Sequence, residues 1–172
     1  MKPEDFSVVA EEAQDVDDTA ISPEEYREIL GGLALVNIGL DSIHADVTNR
    51  MAIDEAAELV PQFESSCEFQ ALKGPEFYMN VVLQHARLVI GDGKTPFFSL
   101  QLTFQLDYVS KQPFTKQFFQ VFKHGPLVAQ ITPFIREYIH STMTRMSVPP
   151  FLLPLVQVDL SPQTSEPAPN EA

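Results

Sequence analysis

From Phe98 to Tyr108 the chain alternates without a fault: Phe98, Leu100, Leu102, Phe104, Leu106 and Tyr108 are apolar, and Ser99, Gln101, Thr103, Gln105 and Asp107 between them are polar. Successive side chains of a strand point to opposite faces, so this segment is a β-strand with one face in a core and the other in water. Wound as a helix, the same residues would scatter their apolar groups around the whole circumference. The segment therefore demands partner strands with the same one-sided pattern and a layer to cover the apolar face.

The partners are legible upstream. Ala34, Val36, Ile38 and Leu40 recur with period two after Gly31-Gly32, giving a first strand from Leu33. Phe63, Ser65, Cys67, Phe69 and Ala71 alternate with Glu64, Ser66, Glu68 and Gln70, giving a second. Phe77 to Ile90 is a longer extended run, and Gly91-Asp92-Gly93-Lys94 follows as a glycine-rich hairpin turn into the strand at 98–108. Residues 48–61 hold Met51, Ile53, Leu59 and Val60 among acids and end at Pro61 without a clean period; they read as a long crossover, with room for one helical turn.

Helical signals flank the strands. Ser22-Pro23-Glu24-Glu25 is a capping box with proline at the first helical position, so a short helix is expected over Pro23–Leu30. After Ser110 the period changes: Phe114, Phe118, Phe119 and Phe122 share one helical stripe, a set that fills either the core or a subunit interface. A second helix is expected from Leu127 to Met146, with a kink or a break near Thr132 because Pro133 removes a backbone donor. Val148 to Val156 holds Pro149, Pro150 and Pro154 and reads as an extended segment over the core. Four strands in meander-like order followed by helices give an α+β fold: a four-stranded antiparallel sheet with two C-terminal helices on one face and a short N-terminal helix.

With 172 residues and 44% apolar content, one domain is expected, over 21–160. Residues 1–20 carry seven acids and one lysine, and 161–172 two acids and no base. Both ends are too poor in aromatic residues to bury apolar surface and are expected to be disordered tails. The net charge of −13 argues against nucleic acid as a partner, because phosphate binding draws its affinity from Lys and Arg. The opening MKPEDFSVVAEEAQDVDDT is acidic where a signal peptide is basic and then apolar, and no run approaches the ~20 apolar residues of a membrane span, so a cytoplasmic protein without membrane insertion is expected.

No catalytic, metal or cofactor site is expected. His44, His85, His124 and His140 lack the i, i+4 spacing of a helical metal site. Cys67, the single cysteine, falls in the apolar register beside Phe69 and reads as a packed thiol. Gly91-Asp92-Gly93-Lys94-Thr95 lacks the first glycine of a phosphate loop and joins strand to strand. What exceeds an ordinary core is the aromatic and Met content of the helical half, which points to a contiguous apolar surface for a partner.

Gln130-Ile131-Thr132-Pro133-Phe134-Ile135-Arg136-Glu137-Tyr138-Ile139, then Met143-Thr144-Arg145, then Pro149-Pro150-Phe151 and Pro154, resemble the SecB family of export chaperones. The resemblance covers about 33–158 and is specific over 130–156. It implies a homotetramer that holds unfolded polypeptide clients in apolar grooves, with Met51, Ile53, Leu59, Phe63, Phe134 and Tyr138 as groove residues. It also implies docking of the SecA translocase motor through an acidic sheet face, here Asp41, Asp46, Glu64, Glu68 and Asp107. Two departures bear on the motor: Gln101 stands where the family carries a glutamate, and the N-terminal helix with its acidic leader is an addition. The function implied is an ATP-independent holdase that keeps preproteins competent for translocation. The alternatives are a dedicated chaperone or adaptor for one partner, such as a toxin–antitoxin component, and, further behind, an enzyme or ligand binder in a pocket under the sheet.

Overall fold

The computed structural model describes residues 7–8, 21–55, 59–93 and 95–153. In chain order the elements are β1 (Ser7–Val8), α1 (Pro23–Gly31), β2 (Ala34–Val47), α2 (Arg50–Glu55), β3 (Val60–Lys73), β4 (Tyr78–Gly91), β5 (Pro96–Ser110), α3 (Lys116–Phe122) and α4 (Pro126–Arg145). The four expected strands form one antiparallel sheet, and the two-residue β1 pairs with the end of β3, giving the order β1-β3-β4-β5-β2. Apart from Ser7–Val8, the tails expected at 1–20 and 161–172 lie outside the described residues.

Every apolar residue of the alternating run sits on the covered face of β5: Phe98, Leu100, Leu102, Phe104, Leu106 and Tyr108 are all buried. The neighbouring register puts Ile90, Leu88, Ala86 and Val82 of β4 beside Phe98, Leu100, Leu102 and Leu106 on the same face. α4 covers these strands with Leu127, Ile131, Ile135, Ile139 and Met143, an i, i+4 stripe buried along its whole length. The expected interruption at Pro133 does not break the helix, which is continuous from Pro126 to Arg145. Proline withholds its donor from the Ala129 carbonyl four residues back, and one residue earlier the Thr132 hydroxyl donates to the Val128 carbonyl at 2.7 Å.

The aromatic stripe is core. Phe114, Phe118, Phe119 and Phe122 are buried, with ring centroids 5.0 Å apart for Phe114–Phe118 and 5.3 Å for Phe118–Phe122. Tyr108 joins them edge-on to Phe122 at 5.5 Å, and its hydroxyl donates to Gln130 Oε1 at 2.6 Å. That burial raises the Tyr108 pKa well above the usual phenol range. α1 packs its Tyr26 ring 5.2 Å from Phe118, and its N-cap is Ser22, which accepts from Glu25 N. Asn80, fully buried, holds the loop into α3 by donating to Ser110 Oγ at 2.8 Å and accepting from Phe114 N at 2.9 Å.

One sequence expectation fails in phase. Ala34 and Val36 do not share the core face with Ile38 and Leu40: Val36 is 57% exposed and Leu35 is half-buried against the core. The pairing of β2 with β5 slips between Leu35 and Asn37 and again between Leu40 and Ser42. Each slip inserts an extra residue and reverses the alternation, so the core-side set of β2 is Leu35, Ile38, Leu40, Ile43, Ala45 and Val47. At the β4–β5 hairpin, Gly91 is required by close approach, since a Cβ there would lie 2.1 Å from the Thr95 carbonyl oxygen.

Candidate functional site

α4 is narrower than the sheet. Its buried stripe covers β4 and β5, and the core-face residues of the outer strands lie along its two flanks. On the β3 side this leaves a groove of about 470 Å³. Phe63, Ser65 and Cys67 form one wall, Val128, Thr132 and Ile135 of α4 the other, and Ile131 and Gln84 lie between them. Lys123 and His124, from the turn before α4, close one end, and Leu153 lies in the lining as well.

The groove is apolar with a few fixed polar groups. Phe63 is 37% exposed, an unusual state for a phenylalanine on the core-facing side of a strand. Cys67 is half-buried; burial pushes its thiol pKa up, and the Lys123 ammonium pulls the other way. Gln84 is buried and anchored through its amide nitrogen, which donates to the Ser66 carbonyl at 3.1 Å and the His85 carbonyl at 3.2 Å.

The six residues expected to line one groove do not meet in one cavity of this chain. Phe63 lies in the groove. Phe134, 37% exposed, and Tyr138, edge-on to Phe104 at 5.5 Å, lie on the other flank of α4, toward β2. Helical geometry requires this, because 134 and 138 fall on the opposite side of the 131–135 stripe from 128 and 132. On the crossover, Met51 is 71% exposed, Leu59 is half-buried and Ile53 is buried in the core.

The crossover is tied to α4 by a contact with no local signal in the sequence. Asn49 caps α2 by accepting from Ala52 N at 3.0 Å. Arg50 then donates to the carbonyls of Met146 at 2.6 Å and Ser147 at 3.0 Å, placing a guanidinium on the negative end of the helix. Ser147 adopts φ of +53°, and Val148 N donates back to Met143 O at 2.9 Å, a Schellman-type termination with serine in the glycine position.

The acids expected on the opposite sheet face are spread across it. Glu64 and Glu68 are on β3, Asp107 is on β5, Asp46 is on β2, and Asp41 is the extra residue of the second β2 bulge. Basic groups lie among them. Arg87 is the cross-strand partner of Glu64, and His85 Nε2 is 3.7 Å from Glu68. Asp107 accepts from Asn37 at 3.1 Å and from Gln105 at 2.8 Å. Gln101 is exposed at the centre of this face.

Among the described residues, no three His, Cys, Asp or Glu side chains converge as metal ligands, and no helix is long and apolar enough to cross a membrane. No protein-family model matches the chain, and none of the curated proteins does. Among solved structures, the chain is similar to the Rv1957 SecB-like chaperone of Mycobacterium tuberculosis, in complex with a ChAD peptide from the Rv1956 HigA1 antitoxin. The TM-score is 0.61 at 17% identity, over 74% of this chain and 93% of that one. A protein of unknown function from Streptococcus agalactiae also aligns, with a TM-score of 0.44 at 14% identity, over 72% of this chain and 97% of that one. The chain has a SecB-like fold, an α+β arrangement of a four-stranded antiparallel sheet covered by helices.

Proposed function

We propose that this protein is a cytoplasmic, non-enzymatic chaperone that binds unfolded polypeptide without ATP, using the apolar surfaces on the two flanks of α4. The observation that carries the reading is the groove between β3 and α4, where Phe63 stands open on a core-facing position beside Cys67, Val128 and Ile135. Such a site binds by apolar burial, at about 25 cal/mol per Å², and a disordered client offsets part of that gain by its ordering cost. Binding is therefore weak at each contact and gains strength by repetition along the client. The SecB-like fold supports the reading, and the similar structure holds a peptide of an antitoxin.

That peptide also favours a second reading, in which the protein is dedicated to one partner, such as a toxin–antitoxin component. The two separate on generality: a general holdase for preproteins accepts any slow-folding chain, whereas a dedicated one ignores them. A homotetramer and docking of the SecA motor belong to the proposal as well. For the motor, the described face offers scattered acids interleaved with Arg87 and His85, with Gln101 at its centre.

The experiment is suppression of aggregation. A denatured protein is diluted into buffer without ATP, and light scattering is followed against increasing amounts of this chain. Suppression that is lost in Phe63→Ser at unchanged fold supports the holdase. Undiminished scattering in the presence of folded wild-type protein rejects general holding and leaves the dedicated reading.

A further inference from the structure

The groove between β3 and α4 carries charge of one sign. Its basic side chains are Lys123 and His124, and no Asp or Glu lines it, in a chain whose net charge is −13. Lys123 is half-buried, and among the described residues no carboxylate lies within ion-pair distance of it or of His124. An ammonium held against apolar walls without a counterion has lost part of its hydration and gained no partner in return. The turn that presents it is fixed by the backbone: Lys123 N donates to Phe119 O at 3.0 Å, and His124 N donates to Val121 O at 3.2 Å. The ammonium acts on the Cys67 thiol, which places it at the Cys67 end of the β3 wall, and Phe63 stands four residues away along the strand.

We propose that this groove selects polypeptide segments in which an acidic side chain directly flanks a short apolar run, the carboxylate pairing with Lys123. The proposal rests on the chaperone reading and gives the chemistry of the client. From Val128 to Ile135 is about 10 Å of helix, which an extended chain crosses in about three or four residues. Phe63, Val128 and Ile135 take the apolar side chains, and the carboxylate reaches Lys123 where the run ends. The pair forms beside apolar walls, where the local dielectric is lower than in water, and it supplies the counterion that the described residues do not. A basic residue at the same place meets a like charge, although the net charge of the chain attracts basic segments from a distance. The two effects separate by range. At physiological salt the distant attraction is screened beyond about 8 Å and the contact pair is not, so the contact decides.

The test uses three fluorescently labelled peptides, acetylated and amidated so that no terminal charge competes. Each has the same run of about four apolar residues, flanked on both sides by Asp, by Asn or by Lys, so that either chain direction presents the flank to Lys123. Binding to the full-length protein is followed by fluorescence anisotropy at physiological salt. The Asp peptide should bind about fivefold more tightly than the Asn peptide, and the Lys peptide about fivefold more weakly. A Gly-Ser spacer between acid and run keeps the peptide charge and should remove the gain. Lys123→Glu should reverse the order of the three peptides and Lys123→Gln should level Asp with Asn, both at unchanged circular dichroism. Lys111→Glu, the same change of net charge at a lysine outside the groove, should keep the wild-type order.

Asp and Asn peptides that bind wild-type protein equally, within about twofold, overturn the preference and leave the holding of clients intact. So does a wild-type order that survives in folded Lys123→Glu, or a spacer that costs nothing. Absence of binding by all three peptides rejects the groove as a client site, and the preference with it.

Discussion

The inner and outer strands of the sheet are built from the same kinds of residue and meet different fates. β4 and β5 alternate strictly, and their core-side residues are buried almost without exception. β2 and β3 carry core-side residues of similar size, yet Ile43 is 46% and Phe63 37% exposed, and the first seven residues of β3 are all exposed. The difference lies above the sheet. One helix of about 10 Å diameter spans two strands at ~4.8 Å spacing, not four. The fold thus completes its core on the inner pair and leaves apolar flanks on the outer pair, where the proposed binding surface lies.

The contrast breaks most visibly in stability. Phe104→Ala removes a ring buried between β5 and Tyr138 and should cost about 3–5 kcal/mol in denaturant unfolding. Asn80→Leu leaves the buried Phe114 N–H without its acceptor and should cost about 1–3 kcal/mol. If either change were neutral, the inner strands would not be the seat of the core. Ser147→Gly relieves the left-handed backbone at the end of α4 and should stabilise by about 1 kcal/mol, with the Arg50 contacts kept because they go to backbone carbonyls. The smallest effect belongs to the outer strands: Ile43→Ser should cost under about 1 kcal/mol, since nearly half of its surface is already in water. A loss as large as that of Phe104→Ala would show that another copy covers this flank in solution.

The same contrast explains what could be read from the sequence. The inner strands were legible because burial on one face leaves alternation as its trace, as from Phe98 to Tyr108. The phase of β2 was not, because the bulges at Val36 and Asp41 depend on pairing with β5 and have no marker such as glycine. Of the candidate groove residues, the apolar face of β3 was visible in Phe63, Cys67 and Phe69, but not that α4 stops short of it. The separation of Phe134 from Phe63 by the width of α4 needs the helix in place over the sheet. The Arg50 contact with Met146 and Ser147 joins residues far apart in the chain, and periodicity carries no record of such pairs.

The most direct test of the central claim is the affinity of a permanently unfolded, fluorescently labelled polypeptide for the wild-type protein and for variants on each flank of α4. Phe63→Ser with Val128→Ser removes the β3-side wall, and Phe134→Ser with Tyr138→Ser removes the apolar surface toward β2. Each folded pair should bind at least about tenfold more weakly, a loss of about 1.4 kcal/mol. Unchanged affinity in both pairs, with fold and assembly intact, would contradict the assignment of client binding to the flanks of α4.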